Sequence, residues 1–180
     1  FFDPWQEMMG AHPNLREDML EFRRMLEGQA AEWAAERATE SDLTRLAQSF
    51  DALNDAFGAD DLDRRSTADI AFHQAVGEAA HNALLGHLSA ALLRLMHDNI
   101  HLNLGELKSI PAASTLLKNQ HAAIHAAIRE RKPQAARAAA ETHIDFVRET
   151  LAQTLRTVAR RETSARRLNT EFSVSESTPS

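Results

Sequence analysis

The chain has 180 residues and a mass of 20.0 kDa, enough for one domain with a real core. Alanine and leucine dominate, valine is scarce, and only six glycines and five prolines interrupt the chain, which argues against strand-built folds and for an all-α one. The net charge of −6 argues against this chain itself gripping nucleic acid, and the absence of cysteine excludes disulfides and thiolate metal sites.

The opening residues, 1–13, read as a lead-in whose Phe1, Phe2 and Trp5 are expected to pack on the body. They carry no initiator Met and no basic-then-apolar signal pattern, as if cut from the middle of a longer chain. A first helix is expected from about Asn14 to Arg37, with Met19, Phe22, Arg23, Leu26, Ala30 and Trp33 facing inward. A second starts at Ser41, a natural N-cap, and ends near Gly58. The third covers about Asp60 to Ala80; Asn82 then punctuates the chain before a fourth from Ala83 to Leu104. That fourth helix holds the longest apolar stretch, but His87 and Arg94 break it, so no membrane span is expected. Pro111 opens a fifth helix, Lys132-Pro133 breaks it, and a sixth runs to about Arg161. The predicted architecture is an antiparallel bundle of six to seven helices over residues 14–160. Residues 161–180, rich in Ser, Thr, Arg and Glu, are expected to form a disordered tail.

Four ionisable residues fall on apolar faces of three of these helices. Asp69 and His73 are four apart and so share a face with Phe72 and Val76. His121 lies on the Leu117, Ile124, Ile128 stripe, and His143 lies among Ala139, Ala140, Phe146 and Val147. One such histidine is usually a hydrogen-bonded core residue. Four groups, each carrying its own burial penalty, favour a shared purpose: one oxygen and three imidazoles around a transition metal in the core. Competing pairs are weaker. His125 points off the stripe, His97 and His101 read as solvated, and Glu78-Ala-Ala-His81 is half of a di-iron motif whose other half is missing. Arg23, amid Met19, Phe22 and Leu26, either pairs with Glu27 one turn on or clamps an anion.

Three ordered segments, Glu21-Phe-Arg23-Arg-Met-Leu-Glu27, Asp69-Ile-Ala-Phe-His73 with Glu78-Ala-Ala-His-Asn82, and His121-Ala-Ala-Ile-His-Ala-Ala-Ile128 followed by His143, resemble the effector-binding (FCD) domain of GntR-type transcription regulators. The likeness spans about Leu20 to Leu151 and is nearest to the lactate, glycolate and pyruvate-dehydrogenase-complex branch. It implies that Asp69, His73, His121 and His143 bind a divalent metal, zinc first, with nickel or manganese as alternatives. It implies too that a small carboxylate, a 2-hydroxy or 2-oxo acid such as lactate or glycolate, meets Arg23, with Asn82 as a second effector contact. It further implies a cytoplasmic homodimer, often a repressor, that binds DNA only through an N-terminal winged helix-turn-helix domain missing before Phe1. An enzyme acting on a small acid ranks lower, because no general base other than Asp69 lies on the site-lining stripes. A metal sensor or metal-stabilised bundle is the third reading.

Overall fold

A computed structural model describes residues 15–59, 61–97, 100–101, 104–105 and 111–175. Six helices are defined among them: α1 (Leu15–Arg37), α2 (Glu40–Gly58), α3 (Leu62–Ala79), α4 (Ala83–Leu95), α5 (Pro111–Arg129) and α6 (Pro133–Ser175). Further helical residues occur between 97 and 105, and no strand is present among the described residues. The expected all-α class holds. The lead-in and its aromatics lie outside the described residues.

Local chemistry sets the helix ends. Thr39, not Ser41, caps α2: its side chain accepts from the Asp42 N–H while the Asp42 carboxylate accepts from the Thr39 N–H. The reciprocal capping box outcompetes a lone serine because it satisfies two orphan donors at once. Asp61 caps α3, and Asn82 caps α4 by accepting from the Leu85 N–H. α4 is shorter than expected, ending at the Met96 cap rather than running to Leu104. α5 closes with Arg131 at φ 57°, where Lys132 N–H reaches back to the Ala127 carbonyl and Arg131 N–H to that of Ile128. Those are the two bonds of a Schellman ending, taken without glycine.

α1 packs most extensively against α6, α2 against α3, and α5 against α6. Small residues are buried on both helices, Ala30, Ala31, Ala34 and Ala35 on α1 and Ala136 and Ala140 on α6. At Gly28 a Cβ would lie 2.9 Å from Glu141 Cγ, so glycine lets the two helices approach. Ion pairs fasten the rim of the same contact, Arg24 with Asp145 and Glu141, and Arg137 with Glu32. This register sets Arg23 on α1 and His143 on α6 against one core.

Two other expectations fail. Phe22 was assigned inward but is 42% exposed; the inward stripe of α1 is Met19, Arg23, Leu26, Glu27 and Ala30. Residues 161–175 are helical rather than disordered, continuing α6 with no glycine or proline to stop it. Residues 161–166 are exposed there, so propensity and continuity, not packing, carry that stretch. No helix among the described residues is long and apolar enough to cross a membrane.

Candidate metal centre

The fold draws His73 from α3, His121 from α5 and His143 from α6 into one buried group. Each offers a ring nitrogen, and these atoms all lie within 4.8 Å of one another. The rings crowd: the centroids of His121 and His143 are 4.4 Å apart, and those of His73 and His143 are 5.1 Å apart. Asp69, one turn before His73 on α3, joins from the side, with Oδ1 3.2 Å from His121 Nε2 and Oδ2 3.9 Å from His73 Nε2. Such a histidine cluster can hold a metal ion. Phe72 closes the group with its ring edge-on to both His73 and His121.

The far nitrogen of every ring faces an oxygen, in a hydrogen bond for His121 and His143 and in an ion-pair contact outside hydrogen-bond geometry for His73. His121 Nδ1 lies 2.9 Å from the Leu117 carbonyl, one turn back on its own helix. His143 Nδ1 lies 3.1 Å from Gln120 Oε1, and His73 Nδ1 lies 2.7 Å from Glu27 Oε2. All three neighbours are acceptors, which favours hydrogen on each Nδ1, and a ring with no second proton then turns an Nε2 lone pair inward. There those lone pairs find no donor. His121 Nε2 faces His73 Nε2 at 3.4 Å and an Asp69 oxygen at 3.2 Å, while His143 Nε2 is buried without a partner. Acceptors do not gather at such distances unless a proton or a cation stands among them.

Electrostatics keep the ligand-competent forms. Burial, aided by the neighbouring His121 and His73, pushes His143 well below the ordinary histidine pKa, so it stays neutral. Asp69 is held at about 2: burial opposes its ionisation, but the His121 contact and nearby positive charge outweigh it. Burial likewise works against Glu27, and Arg23 and His73 hold it below the usual carboxylate range. Both carboxylates are therefore anions at neutral pH.

Arg23 is 1% exposed. Its Nε pairs with Glu27 Oε1 at 2.5 Å, while its Nη2 is buried with no partner. It borders a cavity of about 20 Å³ also lined by Asp69, His143, Ile100, Leu104, Leu117 and Val147. The bland and the functional readings of Arg23 thus both find an atom: one nitrogen makes the intrahelical pair, and another remains to give.

The structure does not bring Asn82 to this cluster. Its side-chain oxygen is spent capping α4, and it lines a separate, larger cleft with Arg45, Gln74, His81 and Arg94. Asn82 was expected as an effector contact; helix initiation explains its residue type instead. The other histidines stay outside as expected: His125 stacks on Phe50 with centroids 4.5 Å apart, and His81 pairs with Asp42. Sequence reasoning missed Gln120, the second role of Glu27, and Arg65, a buried guanidinium over the Phe57 ring one turn before Asp69. Gln120 beside His121 and Arg65 one turn before Asp69 were the available signals.

Comparison with known proteins shows the family. A family model described as the FCD domain matches residues 18–146. The chain is 30% identical over 148 residues to the putative L-lactate dehydrogenase operon regulatory protein of Escherichia coli strain K12, covering 82% of this chain and 56% of that one. It is 39% identical over 135 residues to the galactonate operon transcriptional repressor of the same strain, covering 73% and 56%. A solved structure, Streptococcus agalactiae GntR, superposes with a TM-score of 0.66 at 28% identity, covering 77% of this chain and 60% of that one. The chain thus spans little more than half the length of these curated relatives, which are transcription regulators rather than enzymes.

Proposed function

We propose, from the fact that this chain belongs to the FCD domain family of GntR-type regulators, that it senses a small carboxylate beside a divalent metal ion and passes occupancy to DNA-binding domains of a longer protein. In this reading residues 14–160 form the sensing domain and residues 1–13 lead in from the winged helix-turn-helix domain. The whole protein works as a homodimer in the cytoplasm.

One observation carries the metal reading: three buried histidines whose ring nitrogens lie within 4.8 Å of one another, at a point where His143 Nε2 has no partner. The donor set fits a borderline divalent ion, with three neutral imidazoles and one carboxylate, Asp69. Zinc is the first choice, nickel or manganese the alternatives. A bound ion would supply positive charge and free coordination positions for an oxygen ligand.

The chain's own residues supply the rest. Arg23 directs its free Nη2 to the acid's carboxylate, a charge-assisted hydrogen bond in a buried site. Asp69 and the three histidines fix where the second oxygen of a 2-hydroxy acid sits. The two relatives quoted are regulators of lactate dehydrogenase and galactonate operons, and lactate and galactonate are both 2-hydroxy acids, which supports that class of ligand; lactate and glycolate come first.

Coupling follows from volume. A cavity of about 20 Å³ holds roughly one water molecule. An acid can enter only if Ile100, Leu104, Leu117 or Val147 gives way, so ligand binding selects a different arrangement of the wall. The same small volume favours one rival, a pure metal sensor that takes no acid. Calorimetry on zinc-loaded protein separates the two. Heat with L-lactate or glycolate supports the acid sensor, and silence with both, alongside tight zinc binding, supports the metal sensor.

A further inference from the structure

Glu27 stands between the two halves of the proposed site. It is 5% exposed and divides its carboxylate: Oε1 takes Arg23 Nε, and Oε2 lies 2.7 Å from His73 Nδ1. An arginine four residues away on the same helix can take both oxygens of a carboxylate in a bidentate pair, the stronger geometry for a buried couple. Here it does not. Arg23 Nη2 stays without a partner, while the second oxygen lies in ion-pair contact with the histidine at an angle outside hydrogen-bond geometry, so that it too lacks a hydrogen bond. If Glu27 served only to neutralise Arg23, that division would be an unexplained loss of one charge-assisted bond.

The three histidines are also held unequally. His121 is anchored by a carbonyl of its own helix and His143 by the neutral amide of Gln120. Only His73 is anchored by an anion, and the anchor comes from another helix, α1. A contact of 2.7 Å between imidazole nitrogen and carboxylate oxygen is attractive only with hydrogen on that nitrogen, which leaves Nε2 as the ligating atom. An anionic acceptor also raises the basicity of the ring it holds.

We infer that Glu27 is a positioning residue for the metal centre: it fixes His73 in the Nε2-ligating form and, by giving its second oxygen to the histidine, leaves Arg23 Nη2 free for an anion. The inference rests on the metal reading above. It also makes α1 a structural part of the centre although α1 contributes no ligand.

The test compares wild type with E27Q, R23Q and R23Q/E27Q. Zinc affinity is read by chelator competition, the Co²⁺-loaded protein by its visible spectrum, and His73 by imidazole ¹⁵N shifts without metal. A glutamine offers one oxygen where Glu27 offers two, so E27Q should bind zinc roughly 10- to 100-fold more weakly. Its Co²⁺ bands should shift, and His73 should lose its preference for hydrogen on Nδ1. Because E27Q leaves the Arg23 charge buried and unpaired, the neutral pair R23Q/E27Q guards against misfolding; it should remain as weak for zinc as E27Q. R23Q alone should bind zinc nearly as wild type does. Zinc affinity in R23Q/E27Q equal to wild type would overturn the role of Glu27 while leaving the metal reading intact, as would a wild-type His73 with hydrogen on Nε2 only. Failure of the wild type to bind zinc or cobalt would overturn both.

Discussion

Two clusters in this bundle are built from the same residue types and end in opposite states. At the start of α2, Asp42 accepts from the Thr39 N–H and hydroxyl, pairs with Arg45 at 2.7 Å and meets His81 Nε2 at 2.7 Å. Each of its oxygens has donors, and His81 reaches solvent, with a side chain 48% exposed. In the core, Asp69, His73, His121 and His143 sit with acceptors facing acceptors and one nitrogen orphaned. The first cluster is finished by the protein alone. The second leaves buried atoms without partners and can hold a metal ion. A count of aspartates and histidines cannot distinguish them; the balance of donors and acceptors can.

The largest effect should come from removing a core imidazole. A ligand present at about a thousand times its Kd stabilises a protein by about 4 kcal/mol, so zinc-loaded wild type should melt several degrees above the metal-free protein. H121A should lose both the ion and that gain, measured by metal content and differential scanning calorimetry. A variant that keeps its ion would mean that His121 belongs with His81, as a finished structural histidine.

Next in size is Arg23. Losing a buried charge-assisted hydrogen bond costs about 1.5–3 kcal/mol, so R23A should weaken glycolate or lactate roughly 10- to 100-fold with zinc content unchanged. Equal acid affinity in both proteins would reduce Arg23 to the ion-pair partner of Glu27.

The outer cluster should respond to protons and caps, not metals. The Thr39 side-chain and backbone hydrogen bonds, opposed by burial and aided by Arg45 and His81, hold Asp42 below the ordinary aspartate range. A depressed folded-state pKa stabilises above the unfolded value near 4, and the gain is lost as pH falls through the folded value. D42N should therefore flatten part of the acid limb of the stability curve and cost about 1 kcal/mol at neutral pH, as cap losses do. An acid limb identical to wild type would show that the cluster adds nothing. The smallest effect is expected from H81A: unchanged zinc content and a minor change in melting temperature.

Much of this was legible in the sequence, for identifiable reasons. Periodicity and punctuation placed the helices, because Pro111, Pro133, Gly58 and Asn82 act locally. The four inward ionisable residues stood out because burial of such groups is expensive wherever they fall. Less was legible where the answer depends on a distant segment. Asn82 was taken for a binding residue from the family resemblance, whereas its oxygen answers the Leu85 N–H three residues on. Phe22 was placed inward from the α1 pattern, but the face that α1 buries carries Arg23 and Glu27 and leaves Phe22 exposed. That Glu27 reaches His73, 46 positions on, is a fact of α1–α3 packing that no local pattern encodes.

The most direct measurement is divalent metal content by mass spectrometry after purification without chelators and reloading with zinc. One ion per chain in wild type and none in H121A is the predicted result. An ion-free wild type under saturating zinc would mean that the core histidines meet for packing alone.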